Sequence, residues 1–453
     1  MSQFDVLVLG GGAAGCVLAA RLSENPDRAV CLVEAGPDYG PYVDGRWPAD
    51  ILDARRLPLD SHSWERDDED DRSQLRARIL GGCSAHNACV VMRGADQDYD
   101  EWGAGWSRAE LVRYLERAEQ MLEVRRPGED ELAPWLRALR DAADDPDALQ
   151  LMNAAGTVRW NAAFAYIDPA RARPNLTISA ETRVDRLLIE GGRVRGAVAG
   201  GRRLDADVVV VTASSYGSPG ILLRSGIGPA DELARHGIPL VAELPVGEGL
   251  TDHVGTGAAW RPTERLRAES GEFARDHALL TTAVVIHGRS SACRPGLWDL
   301  LLLPAFDEGD EISAAVFFVR PRSRGSVRLT AREPDAPVAI DHGFLRDERD
   351  ADLLTEGFEK LRELAQSEIP ARYAGRELRP GAEVDAATHV RETARGFFHP
   401  VGTCALGRVV DERCRVLGFE NLYVADASVM PTIPRVPVHL STLAVAERAG
   451  EWI

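Results

Sequence analysis

The sequence predicts an α/β protein whose first domain is a doubly wound, mainly parallel sheet and whose second domain is α+β with an antiparallel sheet. Three observations predict this fold class. A short apolar strand near residue 6 runs through a glycine-rich turn into a helix. Two further apolar strands of the same kind follow much later, in 206–228 and 421–431. The stretch 255–392 between them alternates strand patterns, Gly and Pro turns and an amphipathic helix, which indicates an inserted domain.

Size and charge narrow the function classes. The chain has 453 residues, of which 45% are hydrophobic, and this is enough for two or three packed domains. Its formal charge of −18 disfavours binding to nucleic acid or to an anionic membrane. No apolar run approaches the roughly 18 residues of a membrane-spanning helix, and no secretory signal is visible.

The cysteines predict a reducing environment. There are seven of them without the spacing of a disulfide framework, which favours free thiols in a cytoplasmic protein. No Cys-x-x-Cys or His-x-x-x-His pattern occurs in the sequence, so no metal site is expected. The sequence leaves the oligomeric state open.

The segment FDVLVLGGGAAGCVLAARL is the strongest local signal. Its first apolar residues form a short β-branched run, as expected for a strand buried on both faces. The pattern G-x-G-x-x-G follows, and its glycines permit a tight turn, the close approach of a pyrophosphate and the packing of helix on strand. Free N–H groups at the helix N-terminus favour phosphate. The predicted cofactor contacts here are Gly10, Gly12, Ala13, Ala14 and Gly15.

A second apolar strand, AVCLVEAG, ends at Glu34, about twenty residues past the glycines. A carboxylate at this place can accept a hydrogen bond from a ribose 2′-hydroxyl, and it disfavours a 2′-phosphate. Glu34 and Ala35 are therefore predicted to bind the ribose of a dinucleotide other than NADP. Strand, glycines, helix, strand and acid in this order indicate a Rossmann-type unit. The alternative is a glycine-rich βαβ turn that binds no ligand.

The later apolar strands predict that the nucleotide-binding domain is assembled from separate parts of the chain. ADVVVVTASSYGSPG is a strand that leads into a helix, and NLYVADASVMP is a strand followed by Asp426. Such strand ends form the ligand edge of a doubly wound sheet. The predicted division is a discontinuous nucleotide-binding domain (1–103, 170–254 and 393–453), a helical cap or lid (104–169) and a substrate-binding domain (255–392).

Several motifs together resemble the glucose–methanol–choline (GMC) family of oxidoreductases. They are the N-terminal unit, RARILGGCSAHNACVVMRG, SSYGSPGILLRSGIGP, LPVGEGLTDHVG, RPRSRGSVRLT and the segment from FFHPVGTC to HLSTLAVAE. They occur in the family's order along essentially the whole chain. The resemblance implies FAD as the cofactor, bound in an extended form with its adenosine at Gly10–Gly15 and Glu34.

In the family, the segment that resembles GGCSAHN passes along the flavin ring. Its glycines would let the backbone press against the cofactor, and its Ser and Asn would supply hydrogen-bonding groups. His86 resembles the histidine of choline oxidases that bonds covalently to the flavin 8α-methyl carbon. The alternative is a histidine that packs on the ring edge without a bond. The implied flavin contacts are Gly81, Gly82, Ser84, His86, Asn87, Ala88, Val184, Asp426 and Ala427.

Two histidines match the catalytic positions of the family. His399, in GFFHPVGTC, matches the active-site base, and His439, in VPVHLST, matches a second residue that is His or Asn in the family. Oxidising an alcohol requires removal of the hydroxyl proton and transfer of a hydride, and a histidine can accept that proton at neutral pH. A second donor would hold the substrate oxygen. His253, in LTDHVG, is interpreted as structural.

These observations predict an FAD-dependent oxidoreductase that converts an alcohol, expected to be primary, to the aldehyde or ketone. The electrons would pass to O2 or to another acceptor, and the sequence does not choose between them. Choline is disfavoured as the substrate because no aromatic cage with a carboxylate can be placed. The alternatives are a redox-silent enzyme that resembles the hydroxynitrile lyases of the family and a flavin-binding protein without catalysis.

Overall fold

The computed structural model describes residues 3–65, 74–276, 283–306 and 311–453, which form two main sheets with helices packed on them. The strands are β1 (Phe4–Leu9), β2 (Val30–Val33), β3 (Val90–Val91), β4 (Leu151–Met152), β5 (Ala154–Ala155), β6 (Val158–Arg159), β7 (Leu176–Ser179), β8 (Val184–Glu190), β9 (Arg193–Ala199), β10 (Arg202–Val211), β11 (Glu248–Leu250), β12 (Val254–Pro262), β13 (Ile286–Gly288), β14 (Leu300–Phe306), β15 (Ile312–Phe318), β16 (Gly325–Leu329), β17 (Val338–Asp341), β18 (Ala374–Arg379), β19 (Arg395–Gly396) and β20 (Leu422–Val424). The α-helices are α1 (Ala13–Leu22), α2 (Ala49–Leu52), α3 (Asp96–Asp100), α4 (Arg108–Met121), α5 (Pro134–Ala142), α6 (Asp168–Ala170), α7 (Ser214–Arg224), α8 (Ala230–Arg235), α9 (Glu264–Asp276), α10 (Glu348–Gln366), α11 (Ala386–Thr393) and α12 (His439–Ala449).

The first sheet joins strands from distant parts of the chain. Its order is β7-β2-β1-β10-β9-β8, with β20 paired to β10. The strands β7, β2, β1, β10 and β20 run parallel, whereas β8, β9 and the start of β10 form an antiparallel meander. Leu9 lies opposite both Val33 and Val211, and Val211 lies opposite Val424. The carboxyl ends of these parallel strands therefore meet at one edge, and the predicted doubly wound fold class is confirmed.

Helices cover this sheet with their apolar faces. α1 is buried over most of its length and packs against β1, β2 and α12. α4 packs on the outside of α12. The buried residues of α4 are Leu111, Tyr114, Leu115 and Ala118, whose spacing of three and four places them on one face of the helix. The helix α12, which begins at His439, is thereby fixed between two other helices.

The second sheet is antiparallel, as predicted for an α+β domain. Its order is β13-β14-β15-β12-β18, and β19 also pairs with β12. Helix α10 packs across β15 and buries Leu354, Phe358 and Leu361 from a single face. A smaller sheet, β11-β16-β17, packs against α7 and so connects the two regions.

The segment predicted as a helical cap, 104–169, contains short strands as well as helices. α4 packs against α12, whereas α5 packs against β14 of the second sheet. β4 pairs with β3, and β5 pairs with β6. The segment thus contacts a helix that packs on the first sheet and a strand of the second sheet, and the domain boundaries given above stay a prediction.

Within the ranges that the structure describes, no helix is long and apolar enough to span a membrane. The same residues contain no group of three His, Cys, Asp or Glu side chains that could hold a metal ion. All seven cysteines are free thiols.

Gly12 and Gly15 should respond differently to substitution. A Cβ at Gly15 would lie 1.8 Å from the Gly10 carbonyl oxygen, whereas a Cβ at Gly12 would have its nearest neighbour, Gly82 Cα, at 4.0 Å. We expect Gly15→Ala to lower the free energy of unfolding by about 1–3 kcal/mol or more, because the backbone must shift. We expect Gly12→Ala to change it by less than about 1 kcal/mol. Urea unfolding of the ligand-free proteins measures both values, and equal losses would contradict the prediction.

Candidate active site

One cavity joins the glycine-rich turn to the two predicted catalytic histidines. Its volume is about 440 Å³, which is typical of small-molecule and cofactor sites. His399 and His439 line this cavity together with residues that follow four parallel strands at the carboxyl edge of the first sheet. Those residues are Gly10 after β1, Glu34 after β2, Thr212 after β10 and Asp426 after β20.

Two glycine-rich segments contact each other in the cavity wall. The Gly81 amide donates to the Gly11 carbonyl oxygen over 2.8 Å. A Cβ on Gly82 would lie 2.6 Å from Gly12 Cα, so the two backbones approach more closely than a side chain allows. Helix α1 begins directly after Gly12, and no side chain caps it. The N–H groups of its first turn can therefore bind an anionic group such as a pyrophosphate.

Glu34 stabilises the same turn through hydrogen bonds of its carboxylate. One carboxylate oxygen accepts from the Gly11 amide at 2.8 Å, and the other accepts from the Gly36 amide at 2.7 Å. Burial raises the pKa of Glu34 to about 7, although these bonds act in the opposite direction. Each carboxylate oxygen has a second lone pair. Glu34 can thus support the turn and also accept a hydrogen bond from a ribose hydroxyl in the cavity.

His86 presents an unpaired nitrogen at the cavity. Its ring lines the cavity, and its buried Nε2 atom has no hydrogen-bond partner among the described residues. Burial, and secondarily the positive charge of Arg159, lower the pKa of His86 to about 4. Arg159 is buried as well, and its guanidinium donates to the carbonyl oxygens of Ile51 at 2.5 Å and Asn87 at 2.8 Å. His86 is therefore a neutral imidazole at neutral pH.

Two polar residues that were predicted to contact the cofactor are engaged within the protein. Ser84 donates to the Gly81 carbonyl oxygen at 2.6 Å. Asp426 accepts from the Ser214 amide at 2.9 Å and from the Ser218 hydroxyl at 2.6 Å. Burial raises the pKa of Asp426 above its usual range. These bonds fix the wall of the cavity, and the roles of Ser84 and Asp426 as flavin contacts stay predictions.

The structure gathers most of the predicted cofactor residues around the cavity. Gly15 and Gly81 lie behind this wall: Gly15 packs against Gly10, and Gly81 bonds to Gly11. The predicted cofactor residues that line the cavity are Gly10, Gly12, Ala13, Ala14, Glu34, Ala35, Gly82, Ser84, His86, Asn87, Ala88, Val184, Asp426 and Ala427.

His399 is held from both its backbone and its ring. Asp252 accepts from the His399 amide at 3.0 Å. On the ring, Nδ1 lies 3.1 Å from Nδ1 of His253, and the ring centroid lies 4.5 Å from that of Phe397. Burial lowers the pKa of His399 well below its usual range, and positive charge on neighbouring side chains acts in the same direction. At neutral pH His399 is thus able to accept a proton.

His439 is the first residue of α12 and contacts the GGCSAHN segment. Its Nδ1 atom lies 3.3 Å from Nδ2, the side-chain amide nitrogen of Asn87. Its Nε2 atom is buried without a hydrogen-bond partner in the described part of the chain, and the ring lines the cavity. Burial lowers the pKa of His439 to about 4.

These features fit an extended dinucleotide. The uncapped helix N-terminus would hold the pyrophosphate, and Glu34 would hold a ribose. His86 and His439 line the same cavity, and each has a buried Nε2 atom without a partner among the described residues. The fold and the site together define a dinucleotide-dependent enzyme, and two neutral histidines, His399 and His439, line the same cavity as its dinucleotide-binding turn.

Comparison with known proteins identifies the family. The N-terminal GMC oxidoreductase model matches residues 4–149 and 144–255, and the C-terminal model matches 321–446. The chain belongs to the GMC oxidoreductase family and is an FAD-dependent oxidoreductase of the class that acts on CH–OH groups. The resemblance seen in the sequence motifs is confirmed, and so is FAD as the cofactor.

Individual relatives cover nearly the whole chain. It is 32% identical to 5-(hydroxymethyl)furfural oxidase of a Methylovorus species, over 99% of this chain and 98% of the relative. It is 30% identical to choline oxidase of Arthrobacter globiformis, over 100% of this chain and 94% of the relative. Among solved structures, pyridoxine 4-oxidase from Mesorbium loti superposes with a TM-score of 0.87 at 27% identity, and the match covers 99% of each chain.

The structure shows one contact of His399 that the sequence analysis did not predict. His253, which was interpreted as structural, places its ring against the ring of His399. The two histidines are 146 positions apart, so no local pattern connects them. The sole sequence signal is the position of His253 directly after Asp252, which binds the His399 backbone.

The lowered pKa of His399 predicts how activity depends on pH. Only the neutral ring accepts a proton, and the neutral form predominates at every pH above the lowered pKa. We expect kcat/KM for any alcohol substrate to stay level from pH 8 down to about 6.5, the ordinary pKa of histidine, and to fall only at more acidic pH. Steady-state rates across this range provide the measurement, and the acid limb should persist in His439→Asn. A fall centred at or above pH 6.5 would contradict the prediction.

Proposed function

We propose that this protein oxidises a primary alcohol to the aldehyde, with His399 as the base and His439 as the group that positions the substrate oxygen. The observation that carries this proposal is the shared cavity. Two neutral imidazoles from different segments line the same space as the dinucleotide-binding turn. An alcohol placed there could lose its hydroxyl proton to one imidazole and be held by the other.

Each catalytic ring has one nitrogen engaged by the protein and one left for substrate. Nδ1 of His399 faces His253, which leaves Nε2 to accept the hydroxyl proton, a contribution of about 10²–10⁴-fold. Nδ1 of His439 faces Asn87, which leaves Nε2 to bind the oxygen as negative charge develops on it. Bound FAD supplies the two-electron acceptor for the hydride. Fixing the hydroxyl between two anchored rings also lowers the entropic cost of reaction.

The wall beside His399 is apolar. Val90, Val285, Leu303 and Phe397 line the cavity and belong to one apolar cluster. Phe397 links this cluster to His399 through its ring contact, and it also stacks on Phe317 with centroids 3.8 Å apart. A substrate whose hydroxyl reaches His399 would therefore place its body against hydrocarbon and aromatic surface.

Carboxylates are located elsewhere in the cavity. The acidic residues among the described lining are Glu34, Glu65 and Asp426. Glu34 and Asp426 accept hydrogen bonds from the protein, and Glu65 pairs with Arg78 at 3.4 Å. A cationic substrate such as choline favours an aromatic cage with a negative charge close by. The apolar wall supports an uncharged hydroxymethyl compound instead, the kind of group named in the 5-(hydroxymethyl)furfural oxidase relative.

The proposal also includes the electron acceptor of the enzyme and its location in the cell. The reduced enzyme would pass its electrons to O2 or to another acceptor, as the oxidases and dehydrogenases among its relatives are named to do. The seven free thiols support a cytoplasmic location.

The substrate proposal can be checked by anaerobic reduction of the purified enzyme. We expect benzyl alcohol to bleach the flavin absorbance at least about tenfold faster than choline at equal concentration, because the apolar wall favours the uncharged ring. His399→Asn should retain its flavin and slow the bleaching by about 10²-fold or more. Admitting air afterwards shows whether O2 restores the colour. Faster bleaching by choline, or no bleaching by any alcohol, would contradict the proposal.

We also propose that His86 is the covalent attachment site of the flavin. The support is its buried and unpaired Nε2 in the cavity wall, together with a pKa lowered to about 4, which keeps the imidazole neutral and nucleophilic. The charge of Arg159 contributes to this lowering after burial.

Acid precipitation tests the attachment. We expect the yellow colour of the wild-type enzyme to remain with the precipitate, and that of His86→Ala to pass into the supernatant. Cys83→Ala is the matched control, since Cys83 lies three positions away and is exposed; it should behave like the wild type. Release of the flavin from the wild-type enzyme would show that His86 only packs against the ring.

A further inference from the structure

We propose that His253 and Asn87 fix the two catalytic histidines in opposite tautomers, so that His399 presents a bare nitrogen to the substrate and His439 presents an N–H group. This inference rests on the proposed function for its catalytic meaning, but the tautomers themselves follow from hydrogen bonds between residues of the protein. His253 and Asn87 are in this sense positioning residues, since each acts through a neighbouring imidazole.

The tautomer of His253 is fixed by a backbone carbonyl group. Nε2 of His253 lies 2.9 Å from the Pro434 carbonyl oxygen, which can only accept a hydrogen bond. Nε2 of His253 must therefore carry a proton. The His253 side chain is completely buried, and burial lowers its pKa to about 3, so the ring carries no second proton. Its Nδ1 atom is consequently a bare acceptor.

That acceptor determines the state of His399. The Nδ1 atoms of His253 and His399 are 3.1 Å apart. One of them must carry a proton and donate it to the other, because two bare nitrogens at this distance would repel each other through their lone pairs. Because Nδ1 of His253 is bare, Nδ1 of His399 carries the proton. A neutral His399 then has no proton on Nε2. Its remaining nitrogen is the bare one, which is the form that a general base requires.

The orientation of the Asn87 side chain is fixed by a backbone amide group, and this orientation determines the tautomer of His439. The Cys89 N–H donates to the side-chain oxygen of Asn87 at 3.1 Å, which fixes which end of the Asn87 amide is oxygen and which is nitrogen. The NH2 group of Asn87 therefore faces Nδ1 of His439, at 3.3 Å. Since an NH2 group only donates, Nδ1 of His439 is bare and its proton resides on Nε2. That Nε2 is a buried N–H group without a hydrogen-bond partner among the described residues, and its residue lines the cavity.

The two fixed tautomers give His399 and His439 different roles toward the substrate. Between a bare His399 Nε2 and a protonated His439 Nε2, a substrate hydroxyl can donate its proton to the first while its oxygen accepts from the second. The opposite arrangement would exchange the two roles, because the hydroxyl would then donate to His439 and accept from His399. A wrong tautomer of a catalytic histidine costs orders of magnitude in rate, as triad enzymes show.

The direct experiment is NMR of the holoenzyme labelled with ¹³C and ¹⁵N in its ten histidines. Ring shifts report which nitrogen carries the proton, and the signals of interest are assigned by their loss in His399→Gln and His439→Gln. We expect the proton on Nδ1 in His399 and on Nε2 in His439. A proton on Nε2 of His399, or on Nδ1 of His439, overturns the inference whether or not the enzyme oxidises alcohols.

Two variants of equal shape test the link to catalysis. Asn at position 253 retains an acceptor oxygen near the place of Nδ1, and Leu has the same shape without it. We expect His253→Leu to lower kcat/KM by about tenfold or more and to mix the His399 tautomers, while His253→Asn keeps the Nδ1–H form and most of the rate. Equal losses in both variants would overturn the positioning role. Correct tautomers in a wild-type enzyme that reduces its flavin with no alcohol would instead contradict the proposed function alone.

Discussion

The backbone hydrogen bond between Gly81 and Gly11 organises the rest of the site. It holds the GGCSAHN segment against the turn after β1, where only glycine allows the two backbones to approach. His86 and Asn87 enter the cavity from this segment, and Asn87 contacts His439 at the start of α12. A continuous set of contacts therefore runs from the dinucleotide turn to His439. The wall beside the dinucleotide turn and the wall beside His439 therefore belong to one segment of the chain.

Desolvation is the second constraint on this site. The rings of His86, His253, His399 and His439 all have pKa values lowered first of all by burial. The carboxylate of Asp252, close to His399 in the fold, accepts hydrogen bonds from the backbone amides of His399 and Phe397. Serine–histidine–aspartate sites differ, because there a carboxylate bonds the ring and stabilises its charged form. Among the described residues no carboxylate bonds the ring of His399, and burial together with neighbouring positive charge lowers its pKa, which favours the neutral form.

Sequence patterns predicted the elements whose cause is local. Four of the parallel strands, β1, β2, β10 and β20, were predictable because burial on both faces requires continuous apolar runs. The turn after β1 was predictable because ligand binding and close packing both require its glycines. The contact of His253 with His399 and the internal engagement of Asp426 by Ser214 were not. The partners in these two contacts are 146 and 212 positions apart in the sequence. A hydrogen bond between residues so far apart in the sequence produces no periodic pattern that could predict it. The short strands in 104–169 escaped prediction for a related reason, since two-residue pairs such as β3 with β4 depend on tertiary contact.

The placement of β20 beside β10 has a consequence for how the chain is made. The ribosome completes β10 roughly 210 residues before it reaches β20, an interval of roughly 10–40 s at ordinary rates of translation. During that time the Val209–Val211 edge, to which β20 will bond, is a row of unpaired amides and carbonyls in an apolar strand. The nascent chain therefore emerges with this sheet edge open, and the edge is covered only when the C-terminal segment, which also carries His399 and His439, arrives.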